Sequence, residues 1–339
     1  MRAIWITRHG GPEVLEVRDG PDPQPGPGQV RVRTRAVGLN FSEVSARQGI
    51  YPDAPKPPCV VGYEGAGVVD AVGEGVDPGR LGQRVLFLVP HGAHAEAVCV
   101  PDEQAIPIDE AMPFEQAAAL PVAYLTAYHA LFRVARIRPG DTLLVHMAAG
   151  GVGTAMLQLA RTVPDVTVLG TASASKHAHV LAQGATHVID YHREDYVEAV
   201  RKLTDGRGVD FVFDPLGGDD WRKGYSLLRP SGMLVAFGLA NAARPGRRSL
   251  LRVARTLWRV PRYSVRKLLE ENRAIAGVHI GHLWTERAML ASHLHAVLDA
   301  WRAGAVRPYV GSIHPFERAR EAFAELEHGR NVGKIVLVP

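Results

Sequence analysis

An apolar run, Thr142-Leu-Leu-Val-His146, leads straight into Met147-Ala-Ala-Gly-Gly-Val-Gly153 and then into a helical stretch, Thr154 to Arg161. A strand that turns through glycines into a helix opens a βαβ unit, because a parallel partner strand can be reached only by a crossover. The pattern repeats. Apolar strands are expected at Val166 to Gly170, His187 to Asp190, Val209 to Asp214 and Met233 to Phe237, with helical segments between them. Strands alternating with helices at this spacing define a parallel, doubly wound sheet, so the fold class is α/β.

The rest of the chain reads differently. The first hundred residues are dense in Gly and Pro and carry short β-branched runs at Val30 to Thr34, Gly67 to Val69 and Gln83 to Val89, which suggests an irregular β domain. Near Pro113 the pattern changes to an alanine-rich helical run, Phe114 to Arg133, and the chain closes with one more strand in Gly333 to Val338. At 339 residues the chain exceeds what one core usually organises, so two domains are expected. A 46% hydrophobic and 22% charged composition is that of an ordinary globular protein. The net charge of +4 suits anionic small molecules but is too small to argue for nucleic acid, and no motif interleaves basic and aromatic residues. With only Cys59 and Cys99 there is no disulfide framework and no four-cysteine metal loop. The strand-like start without a signal core, and the lack of an apolar run of roughly 18 residues, lead to the expectation of a cytoplasmic protein.

Read as GxGxxG, the glycine turn has the register Ala148, Gly150, Gly153, with alanine in place of the first glycine. Gly150 lets backbone approach a pyrophosphate, Gly153 lets helix and strand pack closely, and the helix N-terminus supplies amide donors. The second strand then selects the dinucleotide. A site for NAD usually carries an acid about 20 residues past the glycines to bind the ribose 2′-hydroxyl. Here Gly170 stands in that place, followed by Thr-Ala-Ser-Ala-Ser-Lys176. Ser173 and Lys176 suit a 2′-phosphate, which a carboxylate would repel, although Lys176 also reads as a solvated helix residue. NADPH is the expected cofactor.

Further motifs are Gly38-Leu-Asn-Phe-Ser42, Gly49-Ile-Tyr51, Pro58 to Gly67 with Tyr63-Glu64, Asp214-Pro-Leu-Gly-Gly218, Ala254 to Trp258 and Asn331-Val-Gly-Lys-Ile-Val336. Together with the glycine turn they resemble the zinc-free quinone oxidoreductase branch of the medium-chain dehydrogenase/reductase superfamily, nearest to its synaptic vesicle membrane protein homologues. The resemblance spans essentially the whole chain. It implies a GroES-like catalytic domain of residues 1–121 completed by 286–339, a Rossmann domain of residues 122–285, and a homodimer joined through the Rossmann sheets. In the zinc alcohol dehydrogenases of that superfamily a cysteine and a histidine hold the metal, and here Asn40 and Tyr63 occupy those positions. Neither is a normal ligand, and the lobe for a structural zinc offers Cys99 alone, so no metal is expected.

Carried over residue by residue, the resemblance places Asn40 at the nicotinamide ribose, Tyr51 in the substrate site and Thr126 near the nicotinamide ring; these three are the candidate catalytic residues. Asn40 and Thr126 also count as cofactor residues, with Ala149, Gly150, Gly151, Val152 and Gly153 of the turn, Thr171, Ser173 and Lys176, then Tyr191, Gly238, Leu239 and Asn331. Bland readings stay open beside these. Tyr51 and Tyr63 also read as half-buried tyrosines with satisfied hydroxyls, and Thr126 as a hydroxyl bonded back to the preceding turn. Glu64 and Asp214 read as holding local structure.

Without zinc to polarise a carbonyl, the acceptor must already be electrophilic, which points to quinones or α,β-unsaturated carbonyls reduced by hydride from NADPH, with Tyr51 or a water as donor. Two alternatives stand: an enoyl-thioester reductase of lipid or secondary metabolism, and a non-catalytic NADPH-binding adaptor at membranes. The second rests on the resemblance to proteins named for a membrane association. Separately, in the basic segment 244–267, Arg244, Arg247, Arg248, Arg252, Arg255, Arg259, Arg262, Arg266 and Lys267 flank Leu250, Leu251, Ala254, Leu257 and Trp258. Such a helix fits either a peripheral contact with an anionic membrane or, as the favoured expectation, an apolar face packed on its own domain or a partner subunit.

Overall fold

The computed structural model describes every residue except 244, 247 and 248. The doubly wound sheet has six strands, all parallel. It starts at its centre with Thr142–Val145, adds Thr167–Thr171 and His187–Ile189 on one side, and returns to place Val209–Asp214, Leu228–Ala236 and Ala274–Gly277 on the other. This reversal opens a crevice beyond the carboxyl ends of Thr142–Val145 and Val209–Asp214, where sheets of this kind bind ligands. Successive side chains point to opposite faces, so Leu143, Val145 and Phe213 enter one core while Leu144 and Val212 enter another. A strand buried on both faces reads as an unbroken apolar run. The strand Ala274–Gly277, not expected from the sequence, pairs on one side only and carries a half-exposed Ile275.

A seven-stranded sheet, mostly antiparallel, is built largely from the first 107 residues. Its spine is the eleven-residue strand Gln29–Leu39. The first half of this strand pairs with Ala97–Pro101 and its end with Lys334–Val338, while Glu64–Val72 runs along its other side with two register shifts. Such shifts bend a strand, and the bend lets one strand serve both partners. Lys334–Val338 also pairs with Val310–Pro315, so the last part of the chain joins the first domain. A small sheet of Leu15–Asp19, Arg2–Ile6 and Cys59–Val60 lies beside it.

Three local expectations are revised. The helical run 114–133 is divided into Phe114–Ala118, Pro121–Tyr128 and a wide π turn over His129–Ala135, because Pro121 lacks an N–H and starts a helix rather than continuing one. The helix after the glycine turn begins at Gly151, not Thr154, and runs to Ala160. The basic segment forms helices Leu250–Trp258 and Val265–Glu271, but the apolar face of the first is not packed on its own domain. Its buried residue is Thr256, tied to the Asn241 carbonyl, while Leu251 and Trp258 are 82% and 84% exposed. Arg244, Arg247 and Arg248 lie outside the described residues. Among those described, no helix is long and apolar enough to cross a membrane.

Candidate active site

The crevice is lined first by the glycine turn. A Cβ on Gly150 would meet nothing but the Met147 carbonyl, at 3.4 Å, so its other side is open, and no side chain caps the helix that starts at Gly151. Its first amides therefore remain available to an anion. A Cβ on Gly153 would lie 2.4 Å from the Met147 oxygen and 2.7 Å from Ala148, a contact only glycine permits. These two positions fit a dinucleotide pyrophosphate. Ala148, standing for the first glycine, is fully buried, and a Cβ at Gly170 would come within 2.9 Å of its methyl. Alanine at 148 and the missing acid at 170 are thus one packing arrangement.

Around the expected 2′-phosphate subsite, Ser173 is partly buried and Tyr191 half exposed. Lys176 is not a solvated residue: its ammonium donates to the carbonyls of Gly329 and Asn331, both at 2.6 Å, and burial lowers its pKa. Two neutral carbonyls do not cancel its charge and leave one of its three N–H donors. Thr171 is buried, with its hydroxyl bonded to His146 at 3.1 Å under the turn. Asp214 holds its own turn, accepting from the Leu216 and Gly217 amides as the sequence reading had it. Gly238 and Leu239 follow the strand Leu228–Ala236 and pass close to the Pro215 turn.

The other wall comes from the first domain. Asn40 precedes the helix Phe41–Arg47, and its amide donates to Glu64 Oε1 at 2.8 Å. Glu64 is fully buried, and its second oxygen accepts from the Val122 amide at the start of the helix Pro121–Tyr128. Lys334 completes the group: its Nζ lies 2.5 Å from both Asn40 Oδ1 and Glu64 Oε1. Behind this pair burial pushes the Glu43 carboxyl up to about 8 and the His94 imidazole down to about 4. At neutral pH Glu43 and His94 therefore stay neutral behind the Glu64–Lys334 ion pair. Thr126 bonds back to the Val122 carbonyl at 2.7 Å, the bland alternative for that residue.

The C-terminal stretch joins the two walls. Gly333 donates to the Ala149 carbonyl and bridges Gly150, while Asn331 folds its amide onto the Gly333 carbonyl. The sequence reading singled out Asn331 but missed Lys334; its signal was a lone charge opening the apolar strand Lys-Ile-Val-Leu-Val338.

Tyr51 sits at the mouth, half-buried, with its ring stacked on His279 and its hydroxyl 3.1 Å from His279 Nε2. Burial, with Asp53 nearby, pushes its pKa up to about 12, so the phenol keeps its proton and can donate it in a hydrogen bond. Burial and the adjacent His282 lower the His279 pKa. His279 was also missed. It follows the strand Ala274–Gly277, at the end of the sheet where ligand-facing loops emerge.

A two-domain body with an open dinucleotide turn facing a polar cluster on a GroES-like wall defines a class, and sequence comparison names it. Residues 26–110 match the alcohol dehydrogenase GroES-like domain and residues 183–337 the zinc-binding dehydrogenase family. The chain belongs to the medium-chain dehydrogenase/reductase superfamily of oxidoreductases. It is 46% identical to the human synaptic vesicle membrane protein VAT-1 homolog over 100% of this chain and 86% of that protein. It is 36% identical to a quinone oxidoreductase of Pseudomonas aeruginosa, covering 100% of this chain and 99% of that one. The crystal structure of Escherichia coli quinone oxidoreductase complexed with NADPH superposes over the whole of both chains with a TM-score of 0.88 at 29% identity.

Proposed function

We propose that the protein is an NADPH-dependent reductase that delivers hydride to a quinone or an α,β-unsaturated carbonyl without a catalytic metal. The observation that carries this reading is the joint state of positions 40, 63 and 64. Where a zinc site would need thiolate and imidazole ligands, Asn40 and Tyr63 stand, and Glu64 is already paired with Lys334 and Asn40. NADPH, rather than NADH, is supported by Gly170 and the uncancelled charge of Lys176, and by the NADPH-bound relative.

The hydride comes from the reduced nicotinamide. The protein's share is position and polarity. Asn40, held from both sides by Glu64 and Lys334, offers a fixed amide at the ribose end of the crevice. Tyr51 donates a hydrogen bond to the carbonyl oxygen on which charge accumulates. In this reading Lys176 and Ser173 hold the 2′-phosphate, and the amides after Gly150 the pyrophosphate.

Tyr51→Phe is expected to lower kcat about 100- to 1,000-fold with KM for NADPH unchanged, the usual size for loss of one such donor. Absorbance at 340 nm against a panel of quinones and enones measures it, with NADH and a chelator as controls. Parent turnover that chelator abolishes would sink the metal-free reading. An enoyl-thioester acceptor remains the enzymatic alternative, distinguished in the same panel. The open edge Ala274–Gly277 supports a homodimer joined sheet to sheet.

A second reading, peripheral membrane contact, is favoured by the exposed Leu251 and Trp258 between Arg252, Arg255 and Arg259, and by the membrane association in the name of the human relative. Co-flotation with anionic vesicles is expected to be salt-sensitive and lost in a Leu251→Asp, Trp258→Asp variant. Flotation unchanged in that variant removes the helix from the account.

A further inference from the structure

Three side chains at the mouth of the crevice converge from both domains. Asp53 comes from the loop after Tyr51, and His279 and His282 from the turn after the strand Ala274–Gly277. One ligand atom from each lies within 4.8 Å of the others. Both imidazoles present Nε2 to the same carboxylate oxygen, His282 at 2.8 Å and His279 at 3.7 Å from Asp53 Oδ2, and the two rings stack 3.9 Å apart.

We propose that Asp53, His279 and His282 form a binding site for a divalent cation of the zinc type, one that bridges the two domains and brakes turnover. The donor set is two imidazole nitrogens and one carboxylate oxygen, which suits zinc and its late first-row neighbours and not calcium or magnesium, whose shells are built from oxygen. Ligands at about 2.0–2.2 Å from a tetrahedral ion stand about 3.3–3.5 Å apart. The observed separations of 2.8 and 3.7 Å lie on either side of that spacing. All three side chains are exposed, so adjustment meets no packed core and a water can fill the fourth position. The site is separate from positions 40 and 63, where the superfamily's catalytic zinc ligands fall.

Two consequences follow for the reaction. His279 Nε2 is the atom that meets the Tyr51 hydroxyl, and a ring nitrogen that ligates a cation cannot also accept that hydrogen bond, so the bound ion takes away the partner that positions the phenol. An ion held by Asp53 on one domain and two histidines on the other also ties the mouth of the crevice across both walls. The braking arm rests on the reductase reading above, whereas binding does not depend on it.

The test uses the full chain, stripped with chelator and titrated with zinc in competition with a chromophoric zinc indicator. One equivalent is expected to bind with micromolar or tighter affinity. Asp53→Asn and His282→Gln, both exposed positions, are each expected to weaken it at least tenfold. His295→Gln, on a helix face where the ring bonds only the Ala291 carbonyl, is expected to change nothing. Parent-like binding by both site variants overturns the site. In parallel, zinc is expected to suppress NADPH-driven turnover of the parent, with recovery on adding chelator, and to spare Asp53→Asn. Zinc bound through the trio with turnover untouched overturns the brake and leaves the site. A parent with no turnover at all fails the reductase reading while the titration still decides the site.

Discussion

Lys334→Met is expected to destabilise the protein by about 3–5 kcal/mol, seen as a fall in melting temperature of roughly 10 °C. Glu64 is fully buried and Lys334 is 5% exposed, so removing the ammonium leaves a carboxylate that no solvent reaches. The two donors that remain to it, the Asn40 amide and the Val122 N–H, are neutral and replace only part of the lost charge. Glu64→Gln added to Lys334→Met is expected to recover about 2 kcal/mol or more relative to the sum of the two single losses, since it removes the orphaned charge as well. Thermal melts of the four proteins in this cycle make the measurement. A Lys334→Met protein within 1 kcal/mol of the parent would falsify the claim that the buried Glu64 carboxylate depends on this cation.

The second large effect concerns cofactor choice. Placing an acid at the end of the second strand is the obvious way to turn an NADPH site toward NADH. In this chain Gly170→Asp is expected to fail, losing about 4 kcal/mol before any cofactor is tested. Its Cβ would lie 2.9 Å from the Ala148 methyl and 3.0 Å from Val180 Cγ1, both in the core, and the strand is paired on both sides and cannot withdraw. Ala148→Gly together with Gly170→Asp removes the closest contact. That double variant is expected to regain part of the stability and to shift the ratio of kcat/KM for NADH over NADPH upward. Should Gly170→Asp alone melt like the parent and accept NADH, the packing argument is wrong.

The doubly wound half of the molecule was legible because its strands are buried on both faces, and such strands must be apolar at consecutive positions, as Leu143, Leu144 and Val145 are. The glycine turn was legible for a similar reason: at Gly153 the backbone geometry admits one residue type. Ala274–Gly277 was not, since a short edge strand half open to solvent carries no such pattern. Side-chain partners were the least legible. Tyr51 and His279 are brought together where the two domains meet, and Asn40 and Lys334 by the pairing of strands far apart in the chain, so nothing local in the sequence marks one as the partner of the other. The exposed face of Leu250–Trp258 shows the converse limit, because helical spacing tells which residues share a face but not whether anything covers it.

The Gly333 to Lys334 link also bears on how the molecule comes to be made. A ribosome releases the glycine turn and Glu64 long before the strand Lys334–Val338 emerges. Until then Glu64 waits without its cation and the Ala149 carbonyl without its donor, so the first domain lacks a strand next to its spine. The nascent chain can finish its central sheet early, but the pocket closes only once the distant strand Lys334–Val338 has been made. Assembly of the crevice is thus set by connectivity, since it waits on a pairing between residues 270 apart in the sequence.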